Sequence, residues 1–255
     1  KETMDLYNEV FKSNKNLFTT ELECHINKMK EMDRLLHPSN SFLILTNTTL
    51  NNFPFVSKNF HHNLGLDIEK MTSIGVPYWL SHFHPEELSI WIQILRELMN
   101  FTMEEVPVHD RKKVSYTWNN RVKNASGHYL NLFVHQVPII LDEQGKPIIG
   151  LSHHTVIGEN EPLPMKSSVK ILNDQNEYET LWFQNHTQKL LTCHLTNREN
   201  DIIRLLALDL TSKEIGKRLS ISPHTVDTHR RKILQKLELK STGELIAYMK
   251  AQQLF

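Results

Sequence analysis

Four helix-start signals recur between residues 196 and 244, and they restrict this part of the chain to a group of short helices. In a capping box, a Ser or Thr hydroxyl accepts from the backbone N–H three residues later, and a Glu at that later position accepts from the N–H of the cap. A serine before a proline is another start, because proline at the first helical position has no N–H to lose. The signals are Thr196-Glu199, Thr211-Glu214, Ser222-Pro223 and Ser241-Glu244. They predict helices over about 197–208, 212–219, 223–237 and 242–253.

Apolar residues within these four segments recur at intervals of three, four and seven, which is the spacing of a helix that buries one side. Only residues 220–222 separate the second and third segments. A turn of that length, with Ile221 pointing inward, is typical of a helix-turn-helix motif. The apolar positions are Ile202, Leu205, Leu206, Ile215, Leu219, Val226, Ile233, Leu237, Leu245, Ile246 and Met249.

The polar side of the third predicted helix distinguishes a DNA-binding motif from any other small helical bundle. Arg and Gln can hydrogen-bond to base edges, while Lys and Thr suit phosphates. Residues 195–255 also carry eleven Lys or Arg against seven Asp or Glu, whereas the rest of the chain has a net charge of −4. This asymmetry favours a polyanionic partner for the C-terminal part. The solvent-facing positions of the helix are His224, Asp227, Thr228, Arg230, Arg231, Gln235 and Lys236.

The run LTNREND, followed by LTSKEIGKRLSISPHTVDTHRRKILQKLELKSTGELI, closely resembles the LuxR/NarL (GerE-type) DNA-binding domain. The resemblance implies a transcriptional regulator that binds double-stranded DNA, with the fourth helix supplying a dimer contact. It places base contacts at Asp227, Thr228 and Arg231. Many members carry Lys where this chain has Asp227, and an Asp can accept from cytosine but cannot donate to guanine. The phosphate contacts that the resemblance implies are Ser212, Lys213, Thr225, Arg230, Lys236 and Lys240.

The N-terminal part of the sequence predicts a mixture of helices and strands. Apolar residues at helical spacing before His37-Pro38 indicate lead helices, and residues 86–101 form a second amphipathic pattern. Runs rich in Val, Ile and aromatic residues, separated by Asn, Asp and Gly, predict an antiparallel meander. The predicted strands are 41–46, 54–57, 114–123, 129–141 and 148–157.

An arrangement of five strands with helices after the second strand resembles a PAS domain. Two sequence runs resemble PAS sequences as well, FVSKNFHHNLGLDIEKM and WLSHFHPEEL. We therefore expect an α+β protein, with a PAS-like five-stranded antiparallel sheet and helices followed by an all-α, four-helix helix-turn-helix domain. The expected organisation is 1–38 lead helices, 39–158 PAS-like sensor domain, 159–194 linker and 195–255 DNA-binding domain. Within the linker, residues 169–172 and 178–183 are expected to pair as a hairpin across 173–176.

PAS domains bind haem, flavin or small metabolites, or bind nothing and only dimerise, so fold alone does not assign a ligand. We predict no cofactor, since neither cysteine lies in a flavin-type run, and the neighbouring strand residues His153 and His154 must point to opposite faces. A small-molecule ligand is compatible with the aromatic residues, which either line a pocket or fill the core. These residues are Trp79, Phe83, Trp91, Trp118 and Phe133.

Together these features predict a cytoplasmic one-component regulator in which a PAS-like input domain controls a LuxR-type output. The alternative is a regulator whose PAS-like domain only dimerises or docks a partner. No motif of a hydrolase, nucleotide-binding or metal enzyme is present, so we expect no enzyme activity. No apolar run approaches the ~20 residues that span a bilayer. Partners are expected to be DNA, RNA polymerase and a second copy, which would pair through an apolar stripe on the lead segment (Leu6, Val10, Leu22, Ile26 and Met29).

Overall fold

The N-terminal part of the chain is built on one antiparallel sheet of seven strands, in the order β2-β1-β5-β4-β3-β6-β7. In this computed structural model, the described residues are 2–13, 20–159, 161–186, 195–208, 210–237 and 239–251. The chain divides into two compact units, residues 1–185 and 186–255. The strands are β1 Ser41–Asn47, β2 Asn52–Val56, β3 Val114–Lys123, β4 Tyr129–Leu141, β5 Pro147–Glu159, β6 Lys166–Leu172 and β7 Tyr178–Asn185.

The first five strands have the PAS-like arrangement that the sequence predicts, because all the helices between strands follow β2. A 3-10 turn, Val108–Lys113, then leads into β3. The helices of this unit are α1 Glu2–Val10, α2 Thr20–Leu35, α3 Asn59–Leu64, α4 Ile68–Ile74, α5 Val76–Leu80 and α6 Pro85–Glu105.

The sheet has seven strands rather than the five expected for the PAS-like domain, because the hairpin expected at 169–172 and 178–183 of the linker joins it. Strand β6 pairs with the free edge of β3, and β7 pairs with β6. The turn between them is locally encoded: the Asn173 side chain accepts from the N–H groups of Gln175 and Glu177, and Asn176 adopts a left-handed φ of 59°. The predicted linker residues 160 and 187–194 lie outside the described residues.

The two lead helices cover opposite faces of the sheet. On one face, Tyr7 of α1 stacks on Trp91 of α6 at 6.2 Å between ring centroids. On the other face, Leu22 of α2 packs in a cluster with Leu45 and Ile149. Val10 and Leu22, two of the five residues of the stripe expected to form a dimer interface, are only 7% and 9% exposed and are covered within their own chain.

In its described residues, the C-terminal unit contains four helices, α7 Asn197–Ala207, α8 Ser212–Leu219, α9 Pro223–Lys236 and α10 Thr242–Ala251. Each starts at its predicted residue, and their fully or almost fully buried side chains form one core. The core includes Ile202, Leu206, Ile215, Val226, Ile233 and Leu245. Among the residues that the structure describes, no helix is both long enough and apolar enough to cross a membrane.

The predicted caps account for these helix starts. Thr196 and Thr211 form complete capping boxes with the glutamates three residues later. Ser222 Oγ accepts from the N–H of Thr225 at 3.0 Å. The fourth start departs slightly from the prediction: the N–H of Glu244 donates to Ser241 Oγ at 3.1 Å, but its carboxylate accepts from the N–H of Lys240. Either way, backbone donors that have no partner inside the helix are satisfied.

Candidate nucleic-acid interface and ligand cavity

The turn between α8 and α9 depends on a close backbone approach at Gly216. The N–H of Ile221 donates to the Gly216 carbonyl at 2.9 Å, and Ser220 takes up a left-handed conformation with φ 54°. A Cβ on Gly216 would lie 2.7 Å from the carbonyl oxygen of Ile221. Only glycine therefore lets the turn pack this tightly against α8. Gly216 was not among the residues predicted from the sequence, although a glycine in the middle of a predicted helix is a recognisable signal.

The start of α7 braces the end of α8, because the Arg198 guanidinium donates to the Leu219 carbonyl at 2.6 Å. This bond satisfies one of the carbonyls that a helix end leaves without an intrahelical partner. Together with the turn, it fixes the direction in which α9 leaves the motif.

One side of α9 points away from the core and carries polar residues at spacings of four, three and four. These residues are His224, Thr228, Arg231 and Gln235. They lie opposite Val226 and Ile233, which are fully buried. Arg231 is exposed, and among the described residues its side chain has no hydrogen bond or ion pair. Thr228 is half-buried, and its hydroxyl donates to the His224 carbonyl at 3.0 Å.

Asp227, the remaining predicted base contact, lies in a polar cluster with two of the predicted phosphate contacts. Ser212 Oγ donates to Asp227 Oδ1 at 2.6 Å, and Arg230 Nη1 donates to Ser212 Oγ at 2.8 Å. The second nitrogen of the guanidinium, Nη2, donates to Thr242 Oγ1 at 2.8 Å. Because these residues come from α8, α9 and α10, the cluster ties three helices together on the flank of the exposed side of α9.

Lys236 is held by a carboxylate at the edge of the core. Its ammonium lies 2.7 Å from Glu199 Oε2, and the Glu199 side chain is almost completely buried. Burial alone would raise the pKa of Glu199, but hydrogen bonds from Lys236 and Thr196 outweigh it and hold the pKa below its ordinary value. Lys236 therefore anchors α9 to the start of α7 in the free protein.

The other predicted phosphate contacts lie at the start of α8, in α9 and before α10. Lys213, at the start of α8, and Lys240, before α10, are exposed. Thr225 is half-buried, and its hydroxyl lies 2.8 Å from Ser222 Oγ. Lys232 of α9 is a further exposed cation that our residue predictions did not include. Lys213, Lys232 and Lys240 are therefore all exposed cations of the helix-turn-helix unit.

In the N-terminal unit, three of the five predicted pocket residues line one cavity of about 50 Å³: Trp79, Trp91 and Trp118. Phe83 is buried behind them, with its ring centroid 4.8 Å from that of Trp91. Phe133 is 41% exposed and lies instead in an open groove with Ile157 and Phe183. Tyr7 and Phe11 also line the cavity, and no sequence pattern indicates this because they lie in a separate lead segment.

Comparison with known families supports the assignment of the helical unit. Residues 194–249 match the family model described as bacterial regulatory proteins, luxR family. The C-terminal unit is a LuxR-family DNA-binding domain. In the described part of the chain, no group of three or more His, Cys, Asp or Glu side chains is arranged to hold a metal ion.

Curated relatives match this LuxR-family domain. The transcriptional regulatory protein TdiR of Thauera aromatica is 44% identical over 66 residues, which are 26% of this chain and 28% of TdiR. The nitrate/nitrite response regulator protein NarL of Escherichia coli K12 is 39% identical over 61 residues, 24% of this chain and 28% of NarL. An uncharacterized response regulatory protein of the same strain, YgeK, is 50% identical over 52 residues, 20% of this chain and 35% of YgeK. The chain thus spans about a third or less of the length of these relatives.

Two solved structures resemble the chain weakly. The phage VqmA–DPO complex is 12% identical, covers 91% of both chains and has a TM-score of 0.35. A domain of a putative light and redox sensing histidine kinase from Haloarcula marismortui is 16% identical, covers 51% of this chain and 99% of its own, and has a TM-score of 0.36. Both TM-scores are below 0.5, so these two structures add no evidence about the fold beyond the strand order described above.

Proposed function

We propose that the protein is a sequence-specific DNA-binding transcriptional regulator of the one-component type, in which α9 enters the major groove. The observation that carries this proposal is the exposed polar side of α9, presented after a tight turn within a LuxR-family domain. Arg231, Thr228 and Asp227 are the proposed base contacts, because their side chains lie on or beside that exposed side.

The proposed phosphate contacts differ in whether their side chains already make hydrogen bonds within the domain. Lys213 and Lys240 are exposed, so their ammonium groups can approach DNA directly. Ser212, Thr225, Arg230 and Lys236 make hydrogen bonds within the domain. Each of these four must keep or exchange an existing bond, so we expect the exposed lysines to dominate the electrostatic part of the affinity.

We further propose that the PAS-like unit is the input and that its cavity holds a small molecule, which the aromatic lining supports. One helix-turn-helix recognises one half-site, so we propose that the protein acts as a homodimer on two half-sites about one DNA turn apart. Its place of action would be the cytoplasm, with RNA polymerase as the downstream partner and no enzyme step of its own.

The binding of the full chain to a labelled DNA duplex at several salt concentrations tests this proposal. Affinity should fall on a log–log plot with a slope of ~0.9 per phosphate neutralised. Lys213→Ala should reduce the slope by about 1, because one phosphate contact is lost. Lys112→Ala, which removes an exposed lysine of the other unit, is the matched control and should leave the slope unchanged. Affinity that does not depend on salt, or no binding to any duplex, would contradict the proposal.

A further inference from the structure

The open groove that contains Phe133 lies on the opposite side of the sheet from the aromatic cavity, and we call it the outer groove. Its volume is about 430 Å³, which is typical of a space that receives a ligand or a few side chains. Thr117 and Asn119 of β3 line it, whereas Trp118 between them lines the aromatic cavity. Neighbouring residues of a strand point to opposite faces of the sheet, so the outer groove is separate from that cavity.

The hairpin of β6 and β7, which extends the sheet beyond the five PAS-like strands, forms one side of the outer groove. Phe183 of β7 lines this side, and Phe133 of β4, Ile157 of β5 and Leu163 line the other. These four apolar side chains are between 37% and 56% exposed. A cluster of exposed apolar side chains around one groove usually marks a surface that contacts another molecule.

The polar groups on the floor of the outer groove are satisfied by one another. The hydroxyl oxygens of Thr117 and Ser168 are 2.6 Å apart. Asn119 donates to the Pro164 carbonyl at 3.0 Å and accepts from the N–H of Lys166 at 2.8 Å. These bonds leave the apolar walls and the charged groups of the groove to determine what binds there.

Two lysines of β6, Lys166 and Lys170, give the outer groove its charge. Both are half-buried, and among the described residues neither ammonium group has a hydrogen bond or an ion pair. The described residues that line the groove include no Asp or Glu. Cations that are partly removed from water are screened less than exposed ones, so they attract an added carboxylate more strongly. The groove therefore favours an acidic occupant.

The spacing of the two lysines indicates what kind of acidic molecule fits. They lie four positions apart on one face of β6, which separates their Cα atoms by about 13 Å. A single anionic head group cannot contact both. Two carboxylates seven residues apart on a helix project from the same side about 10 Å apart, within reach of both flexible lysines. A partner strand would need a sheet edge, whereas this groove lies on a sheet face that offers side chains.

We propose that the outer groove binds an acidic amphipathic helix of a partner protein. The apolar side chains of that helix would pack between Phe133 and Phe183, and two of its carboxylates would pair with Lys166 and Lys170. The groove belongs to the N-terminal unit, so this interaction does not use α9 or any of the proposed DNA contacts.

A second copy of this chain fits the outer groove less well than a different partner. Its α1 exposes Glu2 and Glu9 seven residues apart, but Glu9 already lies 3.6 Å from Arg96. Tyr7 places α1 on the cavity side of the sheet, opposite the groove. A contact between α1 and the groove of another copy would therefore join copies into an open chain rather than a closed dimer.

Fluorescence anisotropy of three labelled helical peptides with the full chain tests this inference. The peptides share one leucine face and differ only at two positions seven residues apart beside it, which carry Glu, Gln or Lys. We expect the Glu peptide to bind about tenfold more tightly than the Gln peptide, because two ion pairs form with half-buried cations, and the Lys peptide not to bind. Equal affinity of the Glu and Gln peptides, or no binding of any peptide, would overturn the inference.

Matched variants show where the Glu peptide binds. Lys170→Gln should weaken its binding about fivefold, whereas Lys213→Gln, at an exposed lysine of the helix-turn-helix unit, should have no effect. Phe183→Ser should weaken the Glu and Gln peptides alike, because an apolar wall is lost, whereas Leu35→Ser, at a residue of α2 that is 80% exposed, should not. Weaker binding in Lys213→Gln but not in Lys170→Gln would place the peptide on the DNA-binding unit and overturn the inference.

Sedimentation of the wild type and of Phe183→Ser at one concentration tests the alternative occupant. We expect both proteins to have the same association state, with and without the Glu peptide. Self-association that Phe183→Ser abolishes and that the Glu peptide competes away would show that a second copy fills the groove, which would overturn the inference. Phe183→Ser should bind duplex DNA like the wild type, so failure of the groove proposal leaves the proposed DNA-binding function standing.

Discussion

At the scale of single residues, the adjacent Arg230 and Arg231 have different environments. Arg230 is 29% exposed and donates to Ser212 and Thr242, so its guanidinium helps to hold α8, α9 and α10 together. Arg231 is exposed on the outward side of α9 and has no partner among the described residues. A free guanidinium can donate two parallel bonds to O6 and N7 of guanine, which is the commonest specific contact in the major groove.

We therefore predict that Arg231→Ala relaxes the sequence preference of the protein and costs roughly 1–3 kcal/mol on its preferred duplex. Lys213→Ala should weaken binding to all duplexes about equally, because a phosphate contact carries no sequence information. Equilibrium binding of both variants to a set of single-base operator changes measures the difference. If the two variants lose affinity in the same pattern across that set, Arg231 is not a base contact.

At the scale of elements, the helix-turn-helix depends on one glycine and on locally encoded helix starts. Each cap in the C-terminal unit joins residues three or four positions apart, which is why the sequence predicts the starts of all four helices. The pairing of β6 with β3 joins residues about fifty positions apart, for example Val169 with Tyr116, and no local signal in the sequence indicates it. The face of Phe133 was equally hard to predict, because residues 130–134 of β4 are mostly apolar and do not show which side is inside.

We predict that Gly216→Ala destabilises the helix-turn-helix, although alanine is favoured over glycine within a helix by about 1 kcal/mol. The added Cβ would lie 2.7 Å from a backbone oxygen, and relieving such a clash typically costs about 1–3 kcal/mol. Hydrogen exchange of peptides from residues 197–236 should show lower protection, and this measurement reports on the C-terminal unit separately from the sheet.

Gly243→Ala is the matched control for this experiment. Its Cβ would meet no atom closer than 3.8 Å, so protection should stay equal to that of the wild type or rise. Wild-type protection in Gly216→Ala would show that the turn tolerates a side chain and that its close approach is not required.

At the scale of the whole molecule, each of the two units has its own hydrophobic core, so sensing and DNA binding can reside in separate parts of the chain. From the sequence we expect two such domains, and the dimer role of the lead segment stays a prediction. Val10 and Leu22 of the predicted stripe are buried within the N-terminal unit, but Leu6 is 36% exposed and Ile26 and Met29 are half-buried, so part of the stripe stays open to a second copy. DNA geometry gives the proposed dimer a separate reason, since a single α9 can contact only one half-site.

Selection of the full-length protein on a pool of random DNA duplexes tests the central claim most directly. We expect enrichment of one sequence composed of two inverted half-sites, centred about 10 base pairs apart, because two copies of α9 would enter successive major grooves on one side of the duplex. Recovery of duplexes with no common sequence, although the protein binds them with a normal dependence on salt, would show that it recognises only the phosphate backbone. That result would contradict the proposal that α9 gives this protein its sequence specificity.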